Sequence, residues 1–180
     1  GQVLVEVVQS GLCGAQLQEI RGEKNPDMFP RLMGHEGVGI VLEVGPGVKK
    51  VSPGDQVVLH WRQGSGIESS FPIYDFNGKK ATSGLITTFS EKTVISENRL
   101  TPVPTGTPFE LCALLGCGLS TALSTINNKA NLKFGESVLI LGCGGVGLSL
   151  VMSARLMGAG EIVGVDVIDK RELLNPFNAE

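Results

Sequence analysis

The chain has 180 residues, 42% of them hydrophobic, and a formal net charge of −3, enough apolar material for a sizeable core under a mildly acidic surface. Its lysines and arginines are scattered, which excludes a nucleic-acid footprint, and no apolar run is long enough to span a membrane. Four cysteines without a CxxC pair read as reduced thiols and set the expectation of a soluble, cytoplasmic protein.

In chain order, residues 1–104 are rich in Val, Gly and Pro and carry short alternating strands. The first strand covers Val3 to Val8, and Gly45–Pro46–Gly47 and Pro53–Gly54–Asp55 mark turns. From Gly64 to Gly84 the sequence reads as a loop-rich insert, suited to shaping a pocket or an oligomer contact. Residues 105–180 switch to helix–strand alternation and form a second domain. Thr107–Pro108–Phe109–Glu110 predicts a helix start with Thr107 as N-cap and Pro108 at the first position. Ser137–Leu141 is a continuous apolar run suited to a strand buried on both faces. Gly142, Gly144 and Gly147 follow with GxGxxG spacing, Val146 to Met157 are apolar at helical spacing, and Gly158–Ala159–Gly160 ends the helix. A second strand, Ile162 to Val165, runs into Asp166.

That strand–turn–helix–strand unit is a dinucleotide fingerprint. Gly142 makes the tight turn, Gly144 lets a pyrophosphate approach the backbone, and Gly147 lets helix and strand pack closely. The helix N-terminus offers N–H groups and a positive dipole end to phosphates. Asp166 stands where a carboxylate accepts hydrogen bonds from the adenosine ribose and repels a 2′-phosphate, which favours NAD over NADP. The competing reading is a ligand-free glycine turn between buried elements, with Asp166 an ordinary acid at a strand end.

Cys13, His35 and Cys117 together offer two thiolates and one imidazole, a donor set for a catalytic zinc with an open position. Spacing alone leaves alternatives open. A free cysteine is commonly a small buried hydrophobe; His35 is the better candidate, and its other reading is an ordinary hydrogen-bonded histidine at a strand edge. The glycines around His35–Glu36 in MGHEGVGIV suggest close backbone approach.

Three blocks, VQSGLCGAQLQEIRG, FPRLMGHEGVGIVLEVGPGVKKVSPGDQVVL and LLGCGLSTALSTINNKANLKFGESVLILGCGGVGLSLV, resemble the zinc-containing alcohol dehydrogenases of the medium-chain dehydrogenase/reductase superfamily. The resemblance runs through almost the whole chain in the family order. It implies an α/β plus β fold: a GroES-like β-barrel catalytic domain over residues 1–104, then the first part of a doubly wound Rossmann domain over 105–180. It implies one catalytic zinc held by Cys13, His35 and Cys117, with Glu36 as alternate ligand. The cofactor-binding set it implies is Gly142, Gly144, Gly145, Val146, Gly147 and Asp166, with Thr121 at the nicotinamide. Trp61 falls where the family places a substrate-pocket aromatic, and His60 stands beside it; plain core packing is the other reading of Trp61. The implied reaction is hydride transfer between NAD and an alcohol (primary, secondary, polyol or sugar), with its aldehyde or ketone as partner. A homo-oligomer without nucleic-acid or membrane partners is expected. Two rival readings are a zinc-free quinone or enoyl-type reductase of the same superfamily and a non-catalytic nucleotide-binding remnant.

The chain departs from the family pattern in three places. Ala15 stands where a proton-passing Ser or Thr is usual, Gln16 where an Asp orients the zinc histidine, and Gln18 where a relay histidine can occur. The Gln16 carbonyl still accepts an imidazole N–H, without adding charge, and His60 is a candidate substitute in the relay. Beyond these residues the insert departs too: it contains no cysteine, so no structural zinc lobe is expected. Starting inside a strand without Met and stopping soon after the second strand of the nucleotide unit, the chain is expected to be part of a longer product.

Overall fold

The computed structural model describes residues 1–23 and 30–180. Phe29, which opens the FPRLMGHEG block, lies outside the described residues. The chain divides into two compact units, Gly1–Cys117 and Gly118–Glu180.

The first unit is built on an antiparallel sheet. Its strands are β1 (Gln2–Ser10), β2 (Glu36–Val44), β3 (Gln56–His60), β6 (Lys92–Ser96) and β7 (Leu100–Pro102), in the order β6-β1-β2-β3-β7. No ladder joining β6 to β7 is found among the described residues. Alternation along β1 turns Val3 and Val5 inward and leaves Glu6 in solvent, as a half-buried strand requires. Val3, Val5, Val41, Val57, Leu59, Ile95 and Leu100 form the main core, each side chain contributing about 1.5–3 kcal/mol on burial. Two register shifts interrupt the β1–β2 ladder, and beyond them Ser10 faces Gly37.

Helix α1 (Gly14–Ile20) follows β1, and α2 (Phe109–Ala113) lies against the sheet, burying Cys112 and Ala113 with Val38 and Val58. The compositional switch near residue 105 therefore precedes the end of the compact unit. The start of α2 corrects the sequence expectation. Pro108 is the N-cap, with extended dihedrals, and no side chain caps the helix. The Thr107 hydroxyl instead donates to the Pro104 carbonyl at 2.6 Å, closing the preceding turn.

The insert is not purely loop. Strands β4 (Ile73–Phe76) and β5 (Lys79–Thr82) form a hairpin. Asn77 and Gly78 both take positive φ at its tip, as a two-residue type I′ turn needs.

The insert is fastened to the sheet by charged hydrogen bonds from a short 3₁₀ turn, Glu97–Arg99, between β6 and β7. The Glu97 carboxylate, in a residue only 3% exposed, accepts the backbone N–H groups of Lys49 at 2.6 Å, Lys50 at 2.7 Å and Ile67 at 2.8 Å. The Lys49 N–H is the largest of the influences that hold the carboxyl below its ordinary range. Arg99 donates to the Trp61 carbonyl and pairs with Glu68 at 3.0 Å.

The second unit contains α3 (Gly118–Ser124), a π-helical turn (Thr125–Ala130), β8 (Val138–Leu141), α4 (Gly145–Leu156), β9 (Ile162–Val165) and α5 (Arg171–Leu174). Strands β8 and β9 are parallel, with Val138 opposite Ile162 and Leu141 opposite Val165. Expected and observed boundaries of this strand–helix–strand unit agree to within a residue. Burial of β8 on both faces is not observed. Ile140 joins the core with Val151, Ala154 and Ile162, whereas Leu139 and Leu141 are exposed. Alternation sends these two to the opposite face of the strand from Ile140. No helix among the described residues is long and apolar enough to cross a membrane.

Replacing Glu97 with Gln turns an N–H donor toward one of its three backbone donors. The expected loss is about 2–4 kcal/mol, read from the urea midpoint at neutral pH. Because the folded-state pKa is lowered, the carboxylate's contribution is present above its unfolded value and fades as pH falls through the folded one. The gap between wild type and variant should therefore shrink in acid.

Candidate functional site

Three segments converge in the first unit. Cys13 sits at the N-cap of α1, extended at φ −97° and ψ 148°, and its carbonyl accepts the Gln16 N–H at 3.0 Å. His35 immediately precedes β2, and the Glu36 carbonyl is tied down by the Gly11 N–H at 3.1 Å and the Thr88 hydroxyl at 3.1 Å. Cys117 arrives by way of Gly116. A β-carbon there would collide with the Leu59 carbonyl and lie 2.9 Å from the Glu36 backbone, so only glycine permits this approach.

The result is that one donor atom from each of Cys13, His35 and Cys117 lies within 4.8 Å of the others, all three residues half-buried. Burial first, then the nearby Cys13 and Glu36, pushes the Cys117 thiol up to about 11. Two thiols and a carboxylate this close repel one another when ionised, and a divalent cation among them relieves that repulsion. Glu36, 4% exposed, is not in the trio itself; its side chain packs against Gly11 and Gly116.

The trio opens on a cavity of about 300 Å³. Ala15 and Trp61 line it, and Trp61 also hydrogen-bonds Cys117. Glu19, Arg31, Leu85 and Ile86 line it too, and sequence reasoning missed all four. Glu19 was detectable as the helical i+4 neighbour of Ala15. Arg31 approaches Glu19 at 3.7 Å, both side chains largely buried. His60 is not among the lining residues. Its Nδ1 faces the Arg62 carbonyl at 2.7 Å and its Nε2 the Thr101 hydroxyl at 3.0 Å. Burial lowers its pKa. Gln18 is exposed and also outside the lining.

In the second unit the glycine turn is tightly closed on itself. Gly142 sits at φ 92°, and its N–H donates to the Val165 carbonyl at 2.7 Å. A β-carbon on Gly147 would run into the Gly142 carbonyl, whereas at Gly144 or Gly145 it would meet no protein atom within 4 Å. The first turn of α4 has neither a side-chain cap nor an acidic residue, so its positive end is not neutralised locally. Val146 is exposed on that turn, and Thr121 is half-buried on α3.

Asp166 has a structural role that its sequence position did not indicate. Its carboxylate accepts the Ile168 N–H at 3.1 Å and the Cys143 N–H at 2.7 Å, stapling the strand exit to the glycine turn. These two bonds, Ile168 first, hold its pKa below the ordinary range. It lines a cavity of about 250 Å³ with Gly164, Lys170 and Arg171.

Comparison with known proteins accords with this geometry. Residues 1–105 match the alcohol dehydrogenase GroES-like domain. The S-(hydroxymethyl)glutathione dehydrogenase of Photobacterium damsela subsp. piscicida is 33% identical across 99% of this chain and 56% of its own length. Among solved structures, benzyl alcohol dehydrogenase from Acinetobacter calcoaceticus superposes with a TM-score of 0.83 at 29% identity, covering 99% of this chain and 55% of that one. An alcohol dehydrogenase zinc-binding domain protein from Burkholderia ambifaria gives 0.81 at 32%, with the same coverage. The chain belongs to the zinc-containing alcohol dehydrogenase family of the medium-chain dehydrogenase/reductase superfamily. It spans about 56% of the length of the first of these relatives.

The contact between Gly147 and the Gly142 carbonyl makes a direct prediction. Gly147→Ala forces the turn and α4 apart at a cost of about 1–3 kcal/mol. Calorimetry should show a lowered Tm.

Proposed function

We propose that this protein acts as a zinc-dependent oxidoreductase that moves a hydride between an alcohol and NAD, as a cytoplasmic homo-oligomer. The convergence of Cys13, His35 and Cys117 carries the reading. Two thiolates and one imidazole suit zinc, with a fourth position left for a ligand oxygen. The chemistry such an ion supplies is Lewis acidity, which eases loss of an alcohol's proton, and a nicotinamide supplies hydride acceptance. A zinc-free reductase has no use for this trio.

The chain's own residues do the rest. Cys13, His35 and Cys117 hold the ion, and Trp61, Leu85 and Ile86 give an alcohol's carbon skeleton an apolar wall that limits water. With Ala15 unable to pass a proton, Glu19 and Arg31 supply the ionisable side of the cavity. Gly142, Gly144, Gly145, Val146 and Gly147 cradle the pyrophosphate at the start of α4. Asp166 keeps lone pairs beyond its two backbone bonds for the ribose hydroxyls. Similarity to S-(hydroxymethyl)glutathione and benzyl alcohol dehydrogenases supports a substrate that is an alcohol with a sizeable carbon or thiol-adduct body.

Metal analysis of the purified protein should find one zinc per chain, and Cys117→Ser should lower it to about a tenth or less, since a three-ligand site loses one donor. A zinc-free wild type, or full retention in the variant, rules the site out. For the cofactor, NAD should bind more tightly than NADP, and Asp166→Ser should narrow that difference about tenfold or more by removing like-charge repulsion. Preference of the wild type for NADP would contradict the role given to Asp166.

A further inference from the structure

Beside the trio of donors, two charged residues line the cavity of about 300 Å³: Glu19 and Arg31. Glu19 lies on α1, and its Oε1 is 3.7 Å from Arg31 Nη1, with the two side chains 6% and 17% exposed. The position of Arg31 is built. Its backbone bridges to Thr82 at the end of β5, where the Leu32 N–H donates to the Thr82 carbonyl at 2.8 Å and the Thr82 N–H to the Pro30 carbonyl at 3.3 Å. Its guanidinium lies over Gly84, at φ 58°, where a β-carbon would come within 3.2 Å of Nη2 and 3.4 Å of Cζ. The insert therefore holds Arg31 at the cavity, and the adjoining Leu85 and Ile86 supply apolar wall.

Such a pair is a poor wall for a plain hydrocarbon chain, which strips water from both charged groups and returns no hydrogen bond. An anionic substrate is disfavoured as well. Cys13, Cys117, Glu36 and Glu19, when ionised, already outweigh a divalent ion and Arg31. A neutral hydroxyl suits both partners at once: its proton goes to a Glu19 carboxylate oxygen, and its lone pairs accept from the Arg31 guanidinium. We infer that Glu19 and Arg31 form a specificity pair that reads a second, non-reacting hydroxyl, so that the substrate is a diol or longer polyol rather than a mono-alcohol or a hydroxy acid. This rests on the zinc reading above, which assigns the reacting hydroxyl to an ion held by Cys13, His35 and Cys117.

The test is a spectral titration of the cobalt-substituted protein, whose visible bands respond to an oxygen ligand on the metal. The probes are the terminal diols of three to six carbons, each beside the mono-alcohol and the terminal hydroxy acid of the same carbon number. The best-fitting diol should bind about 10–100-fold tighter than its mono-alcohol, the range expected of hydrogen bonds to charged groups, and tighter than its hydroxy acid. Glu19→Leu combined with Arg31→Met removes both charges together, so no lone buried charge remains. That double variant should lose the diol preference at unchanged metal content. A wild type that binds every mono-alcohol as tightly as its diol, or the hydroxy acids more tightly, overturns the inference and leaves the zinc reading intact. A folded, metal-replete double variant that keeps the diol preference does the same. A wild type that takes up neither zinc nor cobalt overturns both readings. Should the double variant fail to fold, the wild-type series alone decides.

Discussion

The Leu59 carbonyl and the backbone of Glu36 leave no space for a β-carbon at Gly116, and this contact governs where Cys117 comes to rest. Its other half is set by the sheet. Glu36 pairs with His60 across β2 and β3, so Leu59 and Glu36 are neighbours at one end of that ladder. Ser10 pairs with Gly37, which brings the exit of β1, and so Cys13, to the same end. Burial of Cys112 and Ala113 against Val38 and Val58 then delivers the residues after α2 onto that end. A shift of register by one residue in β2 would exchange the faces of Val38 and Val41, which pack in different cores, and break the convergence.

In the second unit the same economy operates over a shorter range. Gly142 reverses the chain, Gly147 lets α4 close onto the reversal, and Asp166 bridges from the end of β9 to the Cys143 N–H. The carboxylate proposed above to select the ribose is thereby part of the scaffold of the turn. Its orientation is set by backbone donors before any ligand arrives, which spares part of the ordering cost of binding.

The insert shows how a cysteine-free segment is secured. Glu97 gathers three backbone N–H groups from two loops, and Arg99 links Glu68 and the Trp61 carbonyl. Charge-assisted hydrogen bonds of this kind are about twice as strong as neutral ones and hold direction as well as distance. They position Trp61, whose indole lines the cavity, through its own backbone.

The strand, glycine turn, helix and second strand between Val138 and Val165 were legible from sequence because each depends on neighbours a few residues away: side-chain period, glycine spacing, a terminating glycine. The Asn77–Gly78 hairpin carried an equally local signal that a loop reading passed over. The candidate metal trio was different. Spacing made Cys13, His35 and Cys117 no more than candidates, and resemblance to a family joined them; their proximity is a property of strand register and of the missing β-carbon at Gly116. The cap of α2, the exposed face of β8 and the cavity walls at Glu19, Arg31, Leu85 and Ile86 also depended on tertiary structure. Each is decided by which distant backbone atom lies opposite a side chain, and a linear pattern of residue types does not contain that distance.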